Sequence, residues 1–225
     1  MSDRRMNMLQ VTDLLCEYPE AEGKKVRGLV LPSFQLADGE ACGVTGPSGS
    51  GKTTLFHCLS GLLSPTRGEI RIDGVRVDTL SEKERARWRG TNLGYVFQEP
   101  KLLPFLTIGE NIRISARLAG RRVAPEELES LLRKVDLPGC EDRFPRQLSG
   151  GERQRAAFVR AIVRQPRLLL ADEPTANLDG RNSDRLMELL LSYQKTSGCM
   201  LLCASHDPAV QKRFVRRLEL RKEED

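Results

Sequence analysis

The chain has 225 residues, with 36 Lys and Arg against 31 Asp and Glu, which gives a formal net charge of +5. That length suits one large domain, or a domain with an inserted lobe. Charged residues make up 30% of the chain and no segment approaches the roughly 20 apolar residues that cross a bilayer, which excludes an integral membrane protein and a disordered chain.

The first third of the chain predicts a mixed sheet. Phe34 and Leu36 alternate with polar neighbours, and residues 40–45 form a short run that becomes apolar before a glycine. Residues 69–77 alternate around Asp73-Gly74, a dipeptide that favours a tight hairpin turn. Residues 54–62 have a helical pattern.

From Ser81 onwards the pattern indicates helices. Ser81 with Glu84 and Thr107 with Glu110 have the spacing of a capping box, and residues 93–97 predict a strand between these two helix starts. A further helix is predicted by apolar residues at helical intervals, namely Leu128, Leu131, Leu132 and Val135.

Two continuous apolar runs, residues 168–171 and 200–204, are typical of central parallel strands that are covered on both faces. The segment between them predicts a helix through Leu186, Leu189, Leu190 and Tyr193. A strand, a helix and a strand in this order predict a parallel crossover. We find no internal repeat and no long linker.

The six cysteines form no C-x-x-C pair, and residues 1–10 are polar and charged, unlike a secretion signal. We therefore expect reduced thiols in a cytosolic protein. Cys199 and Cys203 lie four residues apart in a predicted strand, where they would share one face. We favour core packing for this pair over half of a metal site.

Residues 46–53 match the pattern G-x-x-x-x-G-K-[ST], follow an apolar run and precede a predicted helix. We call them the phosphate loop. Glycines let successive backbone N–H groups point at phosphate oxygens, and the helix adds its positive N-terminal end. The residues expected to hold the phosphates are Gly46, Pro47, Ser48, Gly49, Ser50, Gly51, Lys52, Thr53 and Thr54.

Two acidic residues end the predicted strand over residues 168–171. Asp172 is expected to bind Mg²⁺ through its water shell, together with the Thr53 hydroxyl. Glu173 projects in a different direction and would take a proton from the water that attacks the γ-phosphate. A solvated or helix-capping pair is the alternative for two acids seen in isolation.

A second anion site is predicted at residues 149–152, Ser-Gly-Gly-Glu, which we call the Ser149 corner. Ser149 and Glu152 have capping-box spacing at the start of a helix, so that N–H groups and a hydroxyl would stand free at its positive end. An ordinary capped helix is the alternative.

These motifs occur together with Gln98 after the strand at residues 94–97, with N-L-D at 177–179 and with S-H-D at 205–207. The ordered set resembles the ATP-binding subunit of ABC transporters, from about Met8 to the end of the chain. The resemblance implies an α/β fold, a RecA-like P-loop NTPase core with an antiparallel β lobe. It further implies an inserted α-helical lobe at roughly residues 99–148, within a single ABC ATPase domain over residues 1–225.

The resemblance implies that two copies meet head to tail around two ATP molecules, with Mg²⁺ as cofactor, and hydrolyse them. The γ-phosphate held by one copy would face the other copy's Ser149, Gly150, Gly151 and Glu152. Gln98 would join Thr53 and Asp172 at the magnesium, and His206 would contact the γ-phosphate. Asp179 would link the two sites across the interface.

Adenine recognition is expected of Tyr18, which lies 28 residues before Gly46. The resemblance places a base-stacking aromatic near this position, and a planar ring suits that contact. A half-buried tyrosine on an edge strand is the alternative.

The resemblance also implies a separate membrane permease as partner, with this chain bound at the cytoplasmic face of the inner (plasma) membrane. Residues 102–106, Leu-Leu-Pro-Phe-Leu, are poor in charge and would form part of its docking surface, with core packing as the alternative. The basic residues form no run of five or six, so the charge alone does not indicate nucleic acid, and no such partner is expected.

Residues 147–155, 172–179 and 216–219 resemble the lipoprotein-release and macrolide-export branch (LolD-like, MacB-like), whose membrane subunits have a large extracytoplasmic domain. The chain departs from the lipoprotein-release pattern at Glu99, Pro100 and Lys101, after Gln98. An ABC importer ATPase and a regulatory ATPase of the cell-division type remain open. A non-transport ABC protein is disfavoured because no coiled-coil insertion or second phosphate loop occurs.

Overall fold

A computed structural model describes residues 8–19 and 25–222 of the chain. Nine strands in these residues form two sheets, one antiparallel and one parallel, and seven α-helices flank them. This arrangement confirms the predicted α/β class with an antiparallel sheet beside a parallel core.

The antiparallel sheet has the strand order β2-β1-β4-β5. Its strands are β1 (Met8–Pro19), β2 (Lys25–Ala37), β4 (Arg67–Ile72) and β5 (Val75–Arg76). The turn between β4 and β5 has φ values of 50° at Asp73 and 80° at Gly74, both positive, as a two-residue hairpin turn requires. The predicted hairpin is therefore confirmed.

The parallel sheet has the strand order β6-β7-β8-β3-β9. Its strands are β3 (Ala41–Thr45), β6 (Leu93–Val96), β7 (Leu168–Asp172), β8 (Met200–Ala204) and β9 (Arg216–Glu219). Every residue of β7 and β8 is buried, because helices or the second sheet cover both faces. The two continuous apolar runs therefore predicted the two central strands correctly.

The helices are α1 (Lys52–Leu59), α2 (Glu82–Asn92), α3 (Ile108–Leu118), α4 (Pro125–Lys134), α5 (Gly150–Ile162), α6 (Gly180–Ser197) and α7 (Pro208–Gln211). The helix predicted at residues 54–62 begins two residues earlier and ends three residues earlier, since α1 runs from Lys52 to Leu59. It ends there because Gly61 adopts a left-handed conformation, with a φ of 66°. The capping boxes at Ser81 and Thr107 are present as predicted.

Side chains on the two faces of the parallel sheet enter different apolar cores. Leu169 and Ala171 of β7 pack with helices α3 to α6, whereas Leu168 and Leu170 pack with α1 and the antiparallel sheet. Residues 99–148 contain α3 and α4 and lie between β6 and β7 in the chain. Their assignment as an inserted lobe stays a prediction.

All six cysteines are buried and free. Cys199 lies just before β8 and not inside it, which corrects the predicted strand boundary, but it packs in the same core as Cys203. Within residues 8–19 and 25–222, no group of three or more His, Cys, Asp or Glu side chains is placed to hold a metal ion. No helix in the same residues is long and apolar enough to cross a membrane.

Candidate functional site

The carboxyl ends of four adjacent parallel strands meet at one edge of the sheet. Gln98 follows β6, Asp172 ends β7, His206 follows β8 and the phosphate loop follows β3. These strands are neighbours in the order β6-β7-β8-β3. The fold therefore brings together groups that are far apart in the sequence, at the edge where α/β proteins bind ligands.

The phosphate loop depends on glycine at two positions with positive φ. At Gly46 (φ 147°), an added Cβ would lie 2.4 Å from the Leu220 carbonyl oxygen and from Ser50 Oγ. At Gly51 (φ 90°), it would lie 2.5 Å from the Gly28 carbonyl oxygen. Neither position tolerates a side chain, so the loop keeps a bare backbone.

The start of α1 offers unpaired donors to an anion. Its N-cap, Gly51, provides no capping side chain, so the N–H groups of the first turn lack a partner within the helix. Ser50 Oγ is buried without a hydrogen-bond partner. Lys52 Nζ folds over the loop, 2.8 Å from the Gly46 carbonyl oxygen and 3.0 Å from that of Pro47. These features fit a bound polyphosphate.

Asp172 lies buried at the end of β7 and faces the first turn of α1. The Tyr95 hydroxyl donates to its Oδ2 at 3.3 Å, and the Thr53 hydroxyl also bonds to this carboxylate. Burial raises the pKa of the Asp172 carboxyl, and the two hydrogen bonds oppose that rise. A carboxylate and a hydroxyl in contact are oxygen ligands suited to Mg²⁺.

Glu173 turns away from Asp172 because its backbone adopts a left-handed conformation, with a φ of 46°. Its Oε2 lies 3.0 Å from His206 Nδ1 and accepts the His206 backbone N–H at 3.3 Å. The imidazole is largely exposed, whereas the carboxylate is mostly buried. The pair therefore places a carboxylate beside an accessible ring at the sheet edge.

Gln98 is exposed two residues beyond the end of β6. Its backbone is held from α5, because the buried Gln154 side chain donates to the Phe97 carbonyl oxygen at 2.7 Å. Sequence reasoning did not identify Gln154, although it lies within the motif that begins at the Ser149 corner.

The Ser149 corner is a complete capping box. The Ser149 N–H donates to Glu152 Oε2 at 2.8 Å, and the Glu152 N–H donates to Ser149 Oγ at 3.3 Å. Hydrogen bonds from the Ser149 side chain and then from the Ser149 backbone N–H lower the pKa of Glu152. N–H groups and a hydroxyl were expected to stand free here. The Ser149 hydroxyl is instead engaged with Glu152, and the N–H groups of Gly150 and Gly151 are the donors left for an anion.

Asp179 caps α6 and lies beside the Ser149 corner. Its carboxylate accepts the Asn182 backbone N–H at 2.9 Å and the Asn182 side chain at 2.8 Å, which lowers its pKa. Asn182 also accepts from Arg155 of α5 at 2.8 Å. Within the described parts of the chain, no hydrogen bond or ion pair joins the Ser149 corner to the phosphate loop.

Tyr18 lies next to the phosphate loop. Its hydroxyl is 3.1 Å from Thr54 Oγ1, and its ring covers Gly28, where an added Cβ would lie 2.3 Å from a ring carbon. The side chain is 39% exposed, which leaves area for stacking. Sequence reasoning missed Gly28, which makes room for this ring.

A family model for the ABC transporter matches residues 31–176, more than half of the chain. The dimeric structure of MJ0796, a bacterial ABC transporter cassette, is 30% identical with a TM-score of 0.87, over 95% of this chain and 94% of that chain. The dimeric post-hydrolysis state of MJ0796 bound to ADP and Pi is 29% identical with a TM-score of 0.87, over 96% and 97%.

CbiO1 from Clostridium perfringens, part of the ABC transporter complex CbiONQ, is 28% identical with a TM-score of 0.74, over 90% of this chain and 79% of that chain. The family match covers the phosphate loop, the Ser149 corner and both acidic residues at the end of β7. The chain therefore belongs to the ABC transporter family, as an ATPase cassette.

Proposed function

We propose that this chain is the ATP-hydrolysing subunit of an ABC transporter and acts as a head-to-tail dimer with two ATP molecules between the copies. The observation that carries the dimer is Gly150. An added Cβ there would have no atom within 4 Å, so the folded chain does not need a glycine at this position. A bare backbone at an exposed, positive helix end suits the close approach of a phosphate from outside the chain.

The charges of the two half-sites support the same arrangement. The phosphate loop offers N–H groups and the Lys52 ammonium, and the Ser149 corner offers a second set of N–H groups. A triphosphate held by one half-site alone would keep part of its charge uncompensated, and closing the dimer would compensate it. MJ0796, which is 30% identical, forms dimers, and one of its dimeric structures holds ADP and Pi.

In the proposed reaction, the Glu173 carboxylate accepts a proton from the attacking water. Its left-handed backbone and its contact with His206 Nδ1 hold the carboxylate in one orientation. His206 Nδ1 lies 3.0 Å from Glu173 Oε2, so Nε2 is the ring nitrogen left to contact the γ-phosphate. His206 thereby links the base to the substrate.

Thr53, Asp172 and Gln98 would hold Mg²⁺, which supplies positive charge against the β- and γ-phosphates. Asp172 contributes a fixed carboxylate because Tyr95 and Thr53 both bond to it. Tyr18 stacks on the adenine base, while its hydroxyl contact with Thr54 keeps the ring near the loop. Asp179 bonds to Asn182, which in turn accepts from Arg155 of α5, and Asp179 would link the two nucleotide sites across the dimer interface.

A groove of about 710 Å³ between α2, α3 and α5 is the proposed docking site for a membrane permease. Its rim exposes large apolar side chains, namely Leu62, Leu103, Ile114 and Leu118, and Phe105 nearby is 72% exposed. Leu102 packs against the core instead, so the predicted apolar patch is divided between docking surface and core. Arg160 binds the Pro100 and Lys101 carbonyl oxygens and thereby ties the groove to α5.

We further propose that the cassette works at the cytoplasmic face of the membrane with a permease of the lipoprotein-release and macrolide-export type, which carries a large extracytoplasmic domain. The sequence of residues 147–155 and 172–179 supports this branch. The importer reading is the second candidate, since an importer ATPase would use the same catalytic residues. Residues 99–101 depart from the lipoprotein-release pattern, and the identity of the membrane partner would separate the two readings.

The dimer is tested with Glu173→Gln, which keeps the size of the side chain but removes the base. We expect this variant to bind Mg-ATP and to accumulate as a dimer in light scattering, because hydrolysis no longer opens it. Glu126→Gln on the exposed start of α4 is the matched control and stays monomeric after turnover. A monomeric Glu173→Gln protein that is saturated with ATP would contradict the proposal.

Co-purification from native membranes tests the partner. A bound subunit with few spans and a large extracytoplasmic domain would support the export branch, and one with several spans and no such domain would support the importer reading.

A further inference from the structure

Tyr95 contacts Asp172 across the boundary between β6 and β7. The two strands pair in parallel, with Tyr95 opposite Leu170 and Val96 opposite Ala171. The Tyr95 side chain reaches along the sheet towards the carboxyl edge, and its hydroxyl lies 3.3 Å from Asp172 Oδ2. The ring therefore comes from the strand beside the one that carries the carboxylate.

Two aromatic contacts hold the Tyr95 ring in place. It stacks on Phe97 with ring centroids 3.9 Å apart and an interplanar angle of 16°. Phe56 of α1 meets it edge-on, at 6.3 Å and 77°. A ring packed on two sides presents its hydroxyl at one place, so the hydrogen bond has a fixed origin.

The hydroxyl is a donor over the whole physiological range. A tyrosine hydroxyl keeps its proton at neutral pH and can donate it to a carboxylate. An ionised carboxylate can only accept hydrogen bonds, so the direction of this bond is fixed.

We propose that Tyr95 is a positioning residue for Asp172, and that its hydroxyl sets the carboxylate orientation on which magnesium-dependent ATP binding relies. This inference rests on the proposed function, which assigns Asp172 to the magnesium. Thr53 and Tyr95 both bond to the carboxylate, and two bonds restrict its rotation more than one. Removing the Tyr95 hydroxyl leaves Thr53 alone to orient it.

The chain provides a matched control in Tyr193 of α6. Its hydroxyl also makes a long hydrogen bond, 3.4 Å to the Ile162 carbonyl oxygen, and it bonds to the Ser197 side chain as well. Its ring meets Phe158 edge-on at 6.1 Å. Burial raises its pKa to about 12. Tyr193→Phe and Tyr95→Phe therefore remove the same atom from similar surroundings, but only Tyr95 bonds to Asp172.

The test measures the affinity for a fluorescent, non-hydrolysable ATP analogue, once with Mg²⁺ and once with EDTA. We call the affinity with Mg²⁺ divided by the affinity with EDTA the magnesium gain. We expect Tyr95→Phe to reduce this gain about tenfold, at the lower end of what loss of a ligand-orienting partner costs. The EDTA affinity should stay within about twofold, since the phosphate loop is unchanged. Tyr193→Phe should keep both values.

A double-mutant cycle with Asp172→Asn separates positioning from a general packing effect. If Tyr95 acts through Asp172, Tyr95→Phe changes the magnesium gain of the Asp172→Asn protein less than twofold. An unchanged gain in Tyr95→Phe, an equal loss in Tyr193→Phe, or additive losses in the cycle would each overturn the proposal. If the wild-type chain itself shows no magnesium gain, the assignment of Asp172 in the proposed function is wrong and this inference fails with it.

Discussion

Replacing Gly150 with alanine tests whether the Ser149 corner serves the folded chain or a second copy. In the isolated chain the new methyl group would meet no atom within 4 Å, so it creates no overlap. Alanine also favours a helix over glycine by up to about 1 kcal/mol. We therefore expect the melting temperature to stay unchanged or to rise by at most about 4 °C.

The same substitution should weaken the ATP-bound dimer. A methyl group between the helix start and the γ-phosphate adds an overlap that costs about 1–3 kcal/mol in packed surroundings. A two-fold symmetric dimer contains the contact twice, so the loss is about 2–6 kcal/mol. The dimer dissociation constant in Mg-ATP should therefore rise by at least about 30-fold.

Sedimentation velocity with Mg-ATP measures this change, with Gly150→Ala placed in the Glu173→Gln protein to prevent hydrolysis. Gly151→Ala is the contrast, because its Cβ would lie 2.6 Å from the Asn182 side chain that Arg155 and Asp179 hold. That variant should lose stability as a monomer. A Gly150→Ala protein that dimerises as tightly as its parent would refute the reasoning.

Lys52→Ala should weaken ATP binding at least about 100-fold, because hydrogen bonds to charged groups contribute about 1.5–3 kcal/mol each; an unchanged affinity for fluorescent ATP would exclude Lys52 from the phosphate site. Alkaline pH should destabilise the protein, because burial raises the pKa of Cys42 to about 11 from its ordinary 9.0. The protonated Cys42 thiol therefore contributes about 3 kcal/mol to the free energy of unfolding. This contribution is fully present below pH 9 and is lost as the pH rises from 9 to 11. Urea unfolding under reducing conditions measures this effect. Between pH 8 and 11 the free energy of unfolding should fall less steeply for Cys42→Ala than for the wild-type chain, and an identical fall would show that Cys42 is not responsible.

The sequence predicted those parts of the fold that depend on local pattern. The apolar runs identified β7 and β8, because strands covered on both faces have no polar side to interrupt the run. The phosphate loop was found because its glycines and lysine lie within eight consecutive residues. The capping boxes at Ser81 and Thr107 were found for the same reason.

Contacts between distant segments left no such pattern. Tyr95 and Asp172 are 77 residues apart and meet only because β6 pairs with β7. Gly28 gave no signal because its role depends on a ring from the neighbouring strand β1. At the Ser149 corner the capping-box spacing was recognised, but the hydrogen bonds that use up the Ser149 N–H were overlooked.

The central claim is that each triphosphate lies between two chains. The most direct measurement is the distance from the γ-phosphate to Gly150 and Gly151 of a second chain, in crystals of Glu173→Gln grown with Mg-ATP. We predict N–H to phosphate oxygen contacts within about 3.2 Å, made from the neighbouring copy and repeated by a two-fold axis. The same phosphate held by the Ser149 corner of its own chain, or by a single chain with that corner facing solvent, would contradict the account.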